Sequence, residues 1–202
     1  SMTSNYLANI ENDDNTVAVD ASAGKYYTLM EHHWDEAYGY FTDAIDYPTS
    51  GTNRFWGKYA NKSYLEDNIG SATDISTAFR TGRAAISAGN TTDALVQRDI
   101  IIAEVKQMVA GMAIHYLNDV KAQITSGASQ SSKNHSMSEA VAFIMGIQFV
   151  STTPDMSPSE VTALVNQIEP SVAGNTMSVV SINSVIDQIA AATGLEAYKD
   201  LF

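Results

Sequence analysis

Two pairs of histidine and glutamate are the residues in this sequence whose types and spacing are best suited to chemistry. His32 and Glu36 form the first pair, and His135 and Glu139 form the second. A spacing of four residues places both members of a pair on one face of a helix. Imidazole and carboxylate together suit zinc, iron or manganese. Two such helices packed face to face would bring four ligands around one metal ion, as in metal sites built in bundle cores.

The two pairs lie in similar segments. From His32 the sequence reads His-His-Trp-Asp-Glu-Ala-Tyr-Gly-Tyr-Phe, and from His135 it reads His-Ser-Met-Ser-Glu-Ala-Val-Ala-Phe-Ile. This similarity indicates either a duplicated structural unit or chance agreement between two short helices. A histidine near a helix start also serves as a cap, and acidic residues in a first turn favour the helix dipole. A structural interpretation of both pairs therefore stands beside the metal site.

A second group of residues is predicted to form a structural polar network. The chain has only 11 lysine and arginine residues, and Arg80 and Arg83 lie together in one predicted helix. An arginine on a core-facing helix usually pairs with a carboxylate, because burying an unpaired charge is costly. Asp35 and Glu36 are its natural partners, and Trp34 belongs to the same segment. In this alternative the His/Glu helix has a structural role and binds no metal.

Weaker candidates complete the set of possible site residues. His33 adjoins the first pair, while His115 and Asp119 are again four residues apart, which allows a carboxylate to orient an imidazole. A lone histidine beside an apolar stripe is more often a partly buried structural residue. The sequence contains no H-E-x-x-H, no G-x-S-x-G, no phosphate-binding glycine loop and no dinucleotide-binding fingerprint. A non-enzymatic role is therefore expected, and no catalytic residue is assigned.

Composition limits the classes of partner. The 23 acidic and 11 basic residues give a formal net charge of −12, which repels nucleic-acid phosphates and anionic membrane surfaces alike. The hydrophobic fraction of 45% is ample for a core. There is no cysteine, so disulfides and thiolate metal sites are excluded. No apolar run approaches the roughly 18 residues that a membrane span needs, and no signal peptide is present.

The elements that must position these residues are helices. Apolar residues at steps of three and four predict helices over residues 25–45, 75–88, 92–125, 136–149, 158–168 and 181–192. Asp74 and Ser157 are suitable N-caps, and Pro158 suits the first helical position. We predict an all-α fold, an antiparallel helical bundle of about six to seven helices. Residues 1–24 are predicted to be a polar lead-in, truncated from a longer N-terminal part, and residues 25–202 a single bundle domain.

Several blocks of this sequence resemble a family of bacterial envelope lipoproteins that is catalogued as domain of unknown function 4856. The blocks occur in order across most of residues 1–165. They are Tyr27–Tyr40, Phe79-x-x-Gly82-Arg83-Ala84-Ala85-Ile86, Asp99-Ile100-Ile101, Tyr116-Leu117 and His135-x-x-Ser138-Glu139-Ala140. The resemblance implies export, a lipoprotein signal, further N-terminal helices, and an association with iron-uptake genes beside imelysin-like proteins.

The relation to imelysin-like proteins is distant. Those proteins are helical, which implies a bundle of imelysin-like character, and they carry a Gly-x-His-x-x-Glu motif proposed to bind metal. His33-x-x-Glu36 matches the second half of that motif, but Glu31 stands where the glycine belongs. The imelysin motif is therefore incomplete in this chain, which puts its metal site in doubt.

The leading hypothesis is an exported, non-enzymatic helical domain, periplasmic or associated with the outer membrane. It would bind a divalent metal or iron, or assist metal uptake with other envelope proteins, through His32, Glu36, His135 and Glu139. The alternative is a structural or protein-interaction module with a buried His/Glu/Arg network and no metal. A weaker alternative is a metallopeptidase of imelysin type, which would need an open metal position and a general base.

Overall fold

The structure is a computed structural model that describes residues 2–49, 54–168 and 178–202. Contacts within the chain divide it into two compact units, residues 1–105 and 106–202. Each unit is described by itself below. Helices dominate both units, and the described residues contain only one small two-stranded sheet, so the predicted all-α class is confirmed.

The first unit begins with short elements and continues into longer helices. A π-helical turn covers Met2–Leu7 and a 3-10 turn covers Ile10–Asn12, and Met2, Leu7 and Ile10 are buried. The later elements are β1 (Ala18–Asp20), a 3-10 turn (Ala21–Ala23), β2 (Lys25–Thr28), α1 (Leu29–Phe41), α2 (Phe55–Ala60), α3 (Ser63–Ile69), α4 (Ser71–Ser87) and the first part of α5 (Thr91–Thr125).

An antiparallel hairpin joins the predicted polar lead-in to the first residues that the periodicity had assigned to helix. In it Ala18 pairs with Thr28, and Asp20 pairs with Lys25. The Asp20 carboxylate accepts a hydrogen bond from the Ala23 amide at 3.1 Å, and Gly24 supplies the left-handed residue with φ of 77° that closes the turn. The helix predicted from residue 25 therefore begins four residues later, because its first residues pair with a strand that lies earlier in the chain.

The start of α1 is fixed by a capping box. The Thr28 hydroxyl accepts from the Glu31 amide at 3.2 Å, and the Glu31 carboxylate accepts from the Thr28 amide at 3.0 Å. Both interactions satisfy amides that a helix start leaves without partners. The helix buries one face, formed by Met30, Trp34, Ala37 and Phe41. Its opposite side is left for polar side chains.

The second unit continues α5 and adds further helices. They are α6 (Gln130–Gly146), a 3-10 turn (Ile147–Phe149), α7 (Pro158–Ile168) and α8 (Val179–Thr193). Within this unit α7 contacts both α6 and α8. The predicted cap at Ser157 is confirmed, since its hydroxyl accepts from the Glu160 amide at 3.3 Å and its amide donates to the Glu160 carboxylate at 2.7 Å. Helix α6 begins six residues earlier than the predicted residue 136, because Ser129 caps it.

Helix α5 is the longest element of the described residues. By length and composition alone it could cross a membrane, with a mean hydropathy of 1.3 in its most apolar window. Charged and polar residues interrupt this window, so it contains no unbroken apolar run. Of that window, 56% is buried inside the protein, and a core helix meets the same criterion. This observation is weak evidence for a membrane span.

Candidate metal-binding site

The first predicted pair lies on the polar side of α1. His32 Nε2 is 3.2 Å from Glu36 Oε1, and the two side chains are 40% and 38% exposed. The distance follows from the helix, because residues four apart stand one above the other. The Tyr27 ring stacks on the His32 imidazole with centroids 5.3 Å apart. The pair is therefore ordered by its neighbours and still open to solvent.

A tyrosine from the N-terminal π-helical turn joins this pair. Hydrogen bonding with the Glu36 carboxylate, together with burial and the Glu36 charge, raises the pKa of Tyr6 to about 12. Tyr40 also contributes to this rise in pKa, and the Tyr6 and Tyr40 rings lie 5.7 Å apart. Glu36 is thus the shared partner of an imidazole and a phenol.

His33 belongs to a separate interaction beside this group. Its Nδ1 atom is 2.7 Å from Asp13 Oδ2, and its ring lies 5.6 Å from that of Tyr6. The His32 and His33 rings are 5.7 Å apart, on neighbouring sides of α1. Asp13 thus orients His33 toward the N-terminal segment, whereas His32 pairs with Glu36.

The second predicted pair lies in the other unit, on α6. His135 is exposed and Glu139 is half-buried, and the His135 carbonyl accepts a hydrogen bond from the Ser138 hydroxyl at 2.8 Å. His135 lies inside the helix and does not precede it. Across residues 2–49, 54–168 and 178–202, no three histidine, aspartate or glutamate side chains are grouped so as to hold a metal ion. A shared four-ligand centre stays a prediction.

Arg83 on α4 makes the polar network of the first unit. Its Nε donates to Asp35 Oδ1 and its Nη1 donates to Glu31 Oε1, each at 2.8 Å. Ser87 donates to the same Glu31 oxygen at 2.9 Å. The pKa of Glu31 is lowered, first by the Thr28 amide and also by Ser87 and Arg83. The network therefore ties α4 to the capped start of α1.

Trp34 on α1 and Arg80 on α4 donate hydrogen bonds to uncharged oxygens. The buried Trp34 indole donates to the Phe79 carbonyl at 3.0 Å. The Arg80 guanidinium donates to the Tyr47 carbonyl at 2.9 Å and to the Ser76 hydroxyl at 3.4 Å. The two arginines thus differ, because only Arg83 is bound by carboxylates in the part of the chain that the structure describes.

The remaining candidates form a loose pair on α5. His115 Nε2 is 3.7 Å from Asp119 Oδ2, and the two side chains are 22% and 46% exposed. This separation exceeds a hydrogen-bond distance. The pair is therefore an ion pair at most when the histidine is protonated.

Sequence reasoning missed Tyr6, Asp13 and Glu31 as partners of the site residues. No spacing rule connects Tyr6 or Asp13 to α1, since each lies about twenty or more residues away along the chain. Glu31 did carry a signal, because Thr28-x-x-Glu31 is the pattern of a capping box. Recognising that pattern would have placed the helix start correctly.

Comparison with known proteins gives a family and no activity. A family model described as a domain of unknown function (DUF4856) matches residues 2–196. No curated protein and no solved structure shows significant similarity to the chain. The match covers nearly the whole sequence, so the family rests on the entire chain and not on one motif.

Proposed function

The chain belongs to the DUF4856 family, and from that premise we propose that it is an exported, non-enzymatic helical domain of the cell envelope that binds a metal ion. The proposed ion is iron, and the proposed context is metal uptake with other envelope proteins. Export and the iron context rest on the resemblance to envelope lipoproteins described above. The proposal of a metal site is supported by His32 and Glu36 on α1 and by Tyr6 from the N-terminal turn.

The observation that carries the proposal is the position of Glu36 between an imidazole and a phenol. His32 Nε2 lies 3.2 Å from its carboxylate, and the same carboxylate is the main cause of the raised pKa of the Tyr6 hydroxyl. A phenolate, an imidazole and a carboxylate form a donor set with two hard oxygens, which suits a hard ion such as Fe³⁺. Partial exposure of His32 and Glu36 leaves room for water or a chelating anion to complete the coordination.

Tyr6 sets a pH dependence for the proposed binding. A phenol must lose its proton to act as a ligand, and its hydrogen bond to Glu36 raises its pKa to about 12. Binding through Tyr6 would therefore release a proton and strengthen as the pH rises. Fe³⁺ can displace this proton far more readily than Zn²⁺, because it is the stronger Lewis acid.

The second pair enters the proposal as further ligands. His135 and Glu139 would join His32, Glu36 and Tyr6 around one ion, or they would form no part of the site. Variants of each pair separate these possibilities. If Tyr6, His32 and Glu36 hold the ion without the second pair, the His135→Ala/Glu139→Gln variant should bind iron as tightly as the wild type. If both pairs share the ion, this variant should bind iron more weakly.

The full chain is titrated with ferric nitrilotriacetate. The heat of binding is measured by calorimetry, and the visible absorption spectrum is recorded in parallel. The wild type should bind iron and develop a phenolate-to-iron charge-transfer band. Tyr6→Phe should lose that band, and His32→Ala should weaken binding at least tenfold, while the control His115→Ala changes neither. Equal binding by the wild type and His32→Ala would refute the proposed metal site.

A structural or interaction module is the second candidate function, and the Arg83 network favours it. Arg83 joins Asp35 and Glu31 across two helices at 2.8 Å, which is the arrangement expected of a device that fixes helix packing. This candidate gains if Arg83→Gln and Glu36→Gln destabilise the chain and no metal binds. The weaker third candidate, an imelysin-type peptidase, requires cleavage of a protein substrate that a chelator abolishes.

A further inference from the structure

A cleft in the first unit lies between α1 and α4, away from the His32–Glu36 pair. Its volume is about 540 Å³, within the range of sites for small molecules. The loop after α1 contributes one wall through Ile45. The residues that line the cleft are Trp34, Asp35, Tyr38, Ile45, Phe79, Arg80, Arg83, Ala84 and Ser87.

The floor of the cleft is aromatic, and its polar atoms are already bonded within the protein. Phe79 meets the rings of Trp34 and Tyr38 edge to face, with centroids 5.9 Å and 5.3 Å away. The Trp34 indole donates to the Phe79 carbonyl, and the Tyr38 hydroxyl donates to the Ala44 carbonyl at 2.6 Å. Trp34 and Phe79 are only 1% and 2% exposed, so the floor surface that an occupant can touch comes mainly from the half-buried Tyr38 ring.

The lip of the cleft carries an apolar side chain that the chain itself leaves uncovered. Ile45 is 94% exposed, the highest value among the large hydrophobic residues that the structure shows as exposed. An occupant that covers this side chain would gain hydrophobic free energy that the protein alone does not obtain. The Ile45 side chain thus favours a ligand whose contacting part is apolar.

The rim of the cleft carries two arginines, which differ in whether a carboxylate pairs with the guanidinium. Arg83 is held by Asp35 and Glu31, so its charge is compensated. Arg80 donates to a carbonyl and a hydroxyl, and no carboxylate among the described residues forms an ion pair with it. Arg80 is therefore the cation available to an occupant.

We infer that this cleft binds a small amphipathic monocarboxylate, with its apolar body on Tyr38 and Ile45 and its carboxylate on Arg80. A guanidinium matches a planar carboxylate through two parallel hydrogen bonds. A doubly charged phosphate is disfavoured, because a chain with a net charge of −12 repels it and only one uncompensated arginine faces it. The inference is independent of the metal proposal.

The test uses phenylbutyrate and its uncharged analogue phenylbutanol, titrated by calorimetry into the full chain with a chelator present. Phenylbutyrate should bind at least tenfold more tightly than phenylbutanol. Arg80→Gln should remove that preference. The matched control is Arg54→Gln, since Arg54 is 70% exposed and its ion pair with Asp43 at 3.4 Å lies outside the cleft.

Arg80→Gln also removes the Arg80 hydrogen bonds to Tyr47 and Ser76, so a second variant is needed that leaves these bonds intact. Ala84 is exposed and lines the cleft, so Ala84→Trp should fill it and abolish binding while Arg80 stays in place. Circular dichroism checks that each variant folds. Equal affinity for the two probes, no binding of phenylbutyrate by the wild type, or unchanged binding by Ala84→Trp would each overturn the inference.

Discussion

Gly82 is the residue at which a single added carbon matters most in the first unit. A Cβ at this position would overlap the six-membered ring of Trp34 and would lie 3.1 Å from Gln97 Cβ. Trp34 is 1% exposed and its indole is fixed by the Phe79 carbonyl, so the ring cannot move aside. The absence of a side chain is what allows α1 and α4 to approach closely.

We expect Gly82→Ala to destabilise the chain by about 1–3 kcal/mol, the usual cost of overpacking a core. Its matched control is Gly39→Ala on α1, where a Cβ would meet nothing within 4 Å. That change should stabilise by about 0.5–1 kcal/mol, because alanine favours a helix interior over glycine. Urea unfolding followed by the fluorescence of the buried Trp34 measures both, and a stable Gly82→Ala chain would contradict the close approach.

At the scale of the element, α1 depends on its first turn. The capping box joins Thr28 and Glu31, and Glu31 also receives the Arg83 guanidinium at 2.8 Å. The Glu31 carboxylate therefore caps the start of α1 and also forms an ion pair with α4 through Arg83. The hairpin strand β2 ends at Thr28, so the capping residue is also the point where strand changes to helix.

We expect Thr28→Ala to cost about 1 kcal/mol of unfolding free energy, the typical value for losing an N-cap. The reason is that the Glu31 amide loses its acceptor, and the Asn15 carboxamide oxygen loses the Thr28 hydroxyl donor at 2.9 Å. Thr77→Ala, an exposed change on α4, serves as the control and should shift stability by less than about 0.5 kcal/mol. Equal urea midpoints for the two variants would show that the cap contributes little.

At the scale of the whole molecule, the response to pH combines opposite tendencies. Hydrogen bonds lower the pKa of Glu31, whose contribution is present above its unfolded value and is lost as the pH falls through its folded pKa. Glu104 on α5 behaves in the other direction. Burial, with a smaller effect of Asp74, raises its pKa from 4.5 to about 7, and its Oε2 atom is buried without a hydrogen-bond partner among the described residues.

Glu104 should make the chain less stable as the pH rises from about 4.5 to about 7. Over that range the unfolded state loses its proton while the folded state retains it, so the unfolded state is favoured. Glu104→Gln should match the wild type near the lower limit and exceed it by about 1 kcal/mol at about pH 8, a value reduced for partial solvent screening. Urea titrations across this range test it, with exposed Glu196→Gln as control; parallel pH profiles would contradict it.

The sequence by itself determined the longer helices, the class of fold and the family, whereas it did not predict the short helices α2 and α3. Helix formation depends on nearby residues, because helical hydrogen bonds join residues four apart and the apolar face repeats at every third or fourth residue. For this reason the end of α5 at Thr125 and the start of α7 after Ser157 were predictable to within a residue or two. The predicted α1 began too early for a reason that periodicity does not contain, since β2 pairs with β1.

Only the tertiary structure decided which side chains meet. Tyr6 reaches Glu36, Asp13 reaches His33, and Arg83 reaches Glu31 and Asp35 through contacts between residues about 20 to 52 positions apart. The same holds for the cleft, whose lining comes from α1, from α4 and from Ile45 in the loop after α1. Such contacts depend on how elements pack, and packing is set by the shapes of many side chains at once and not by the spacing of a few.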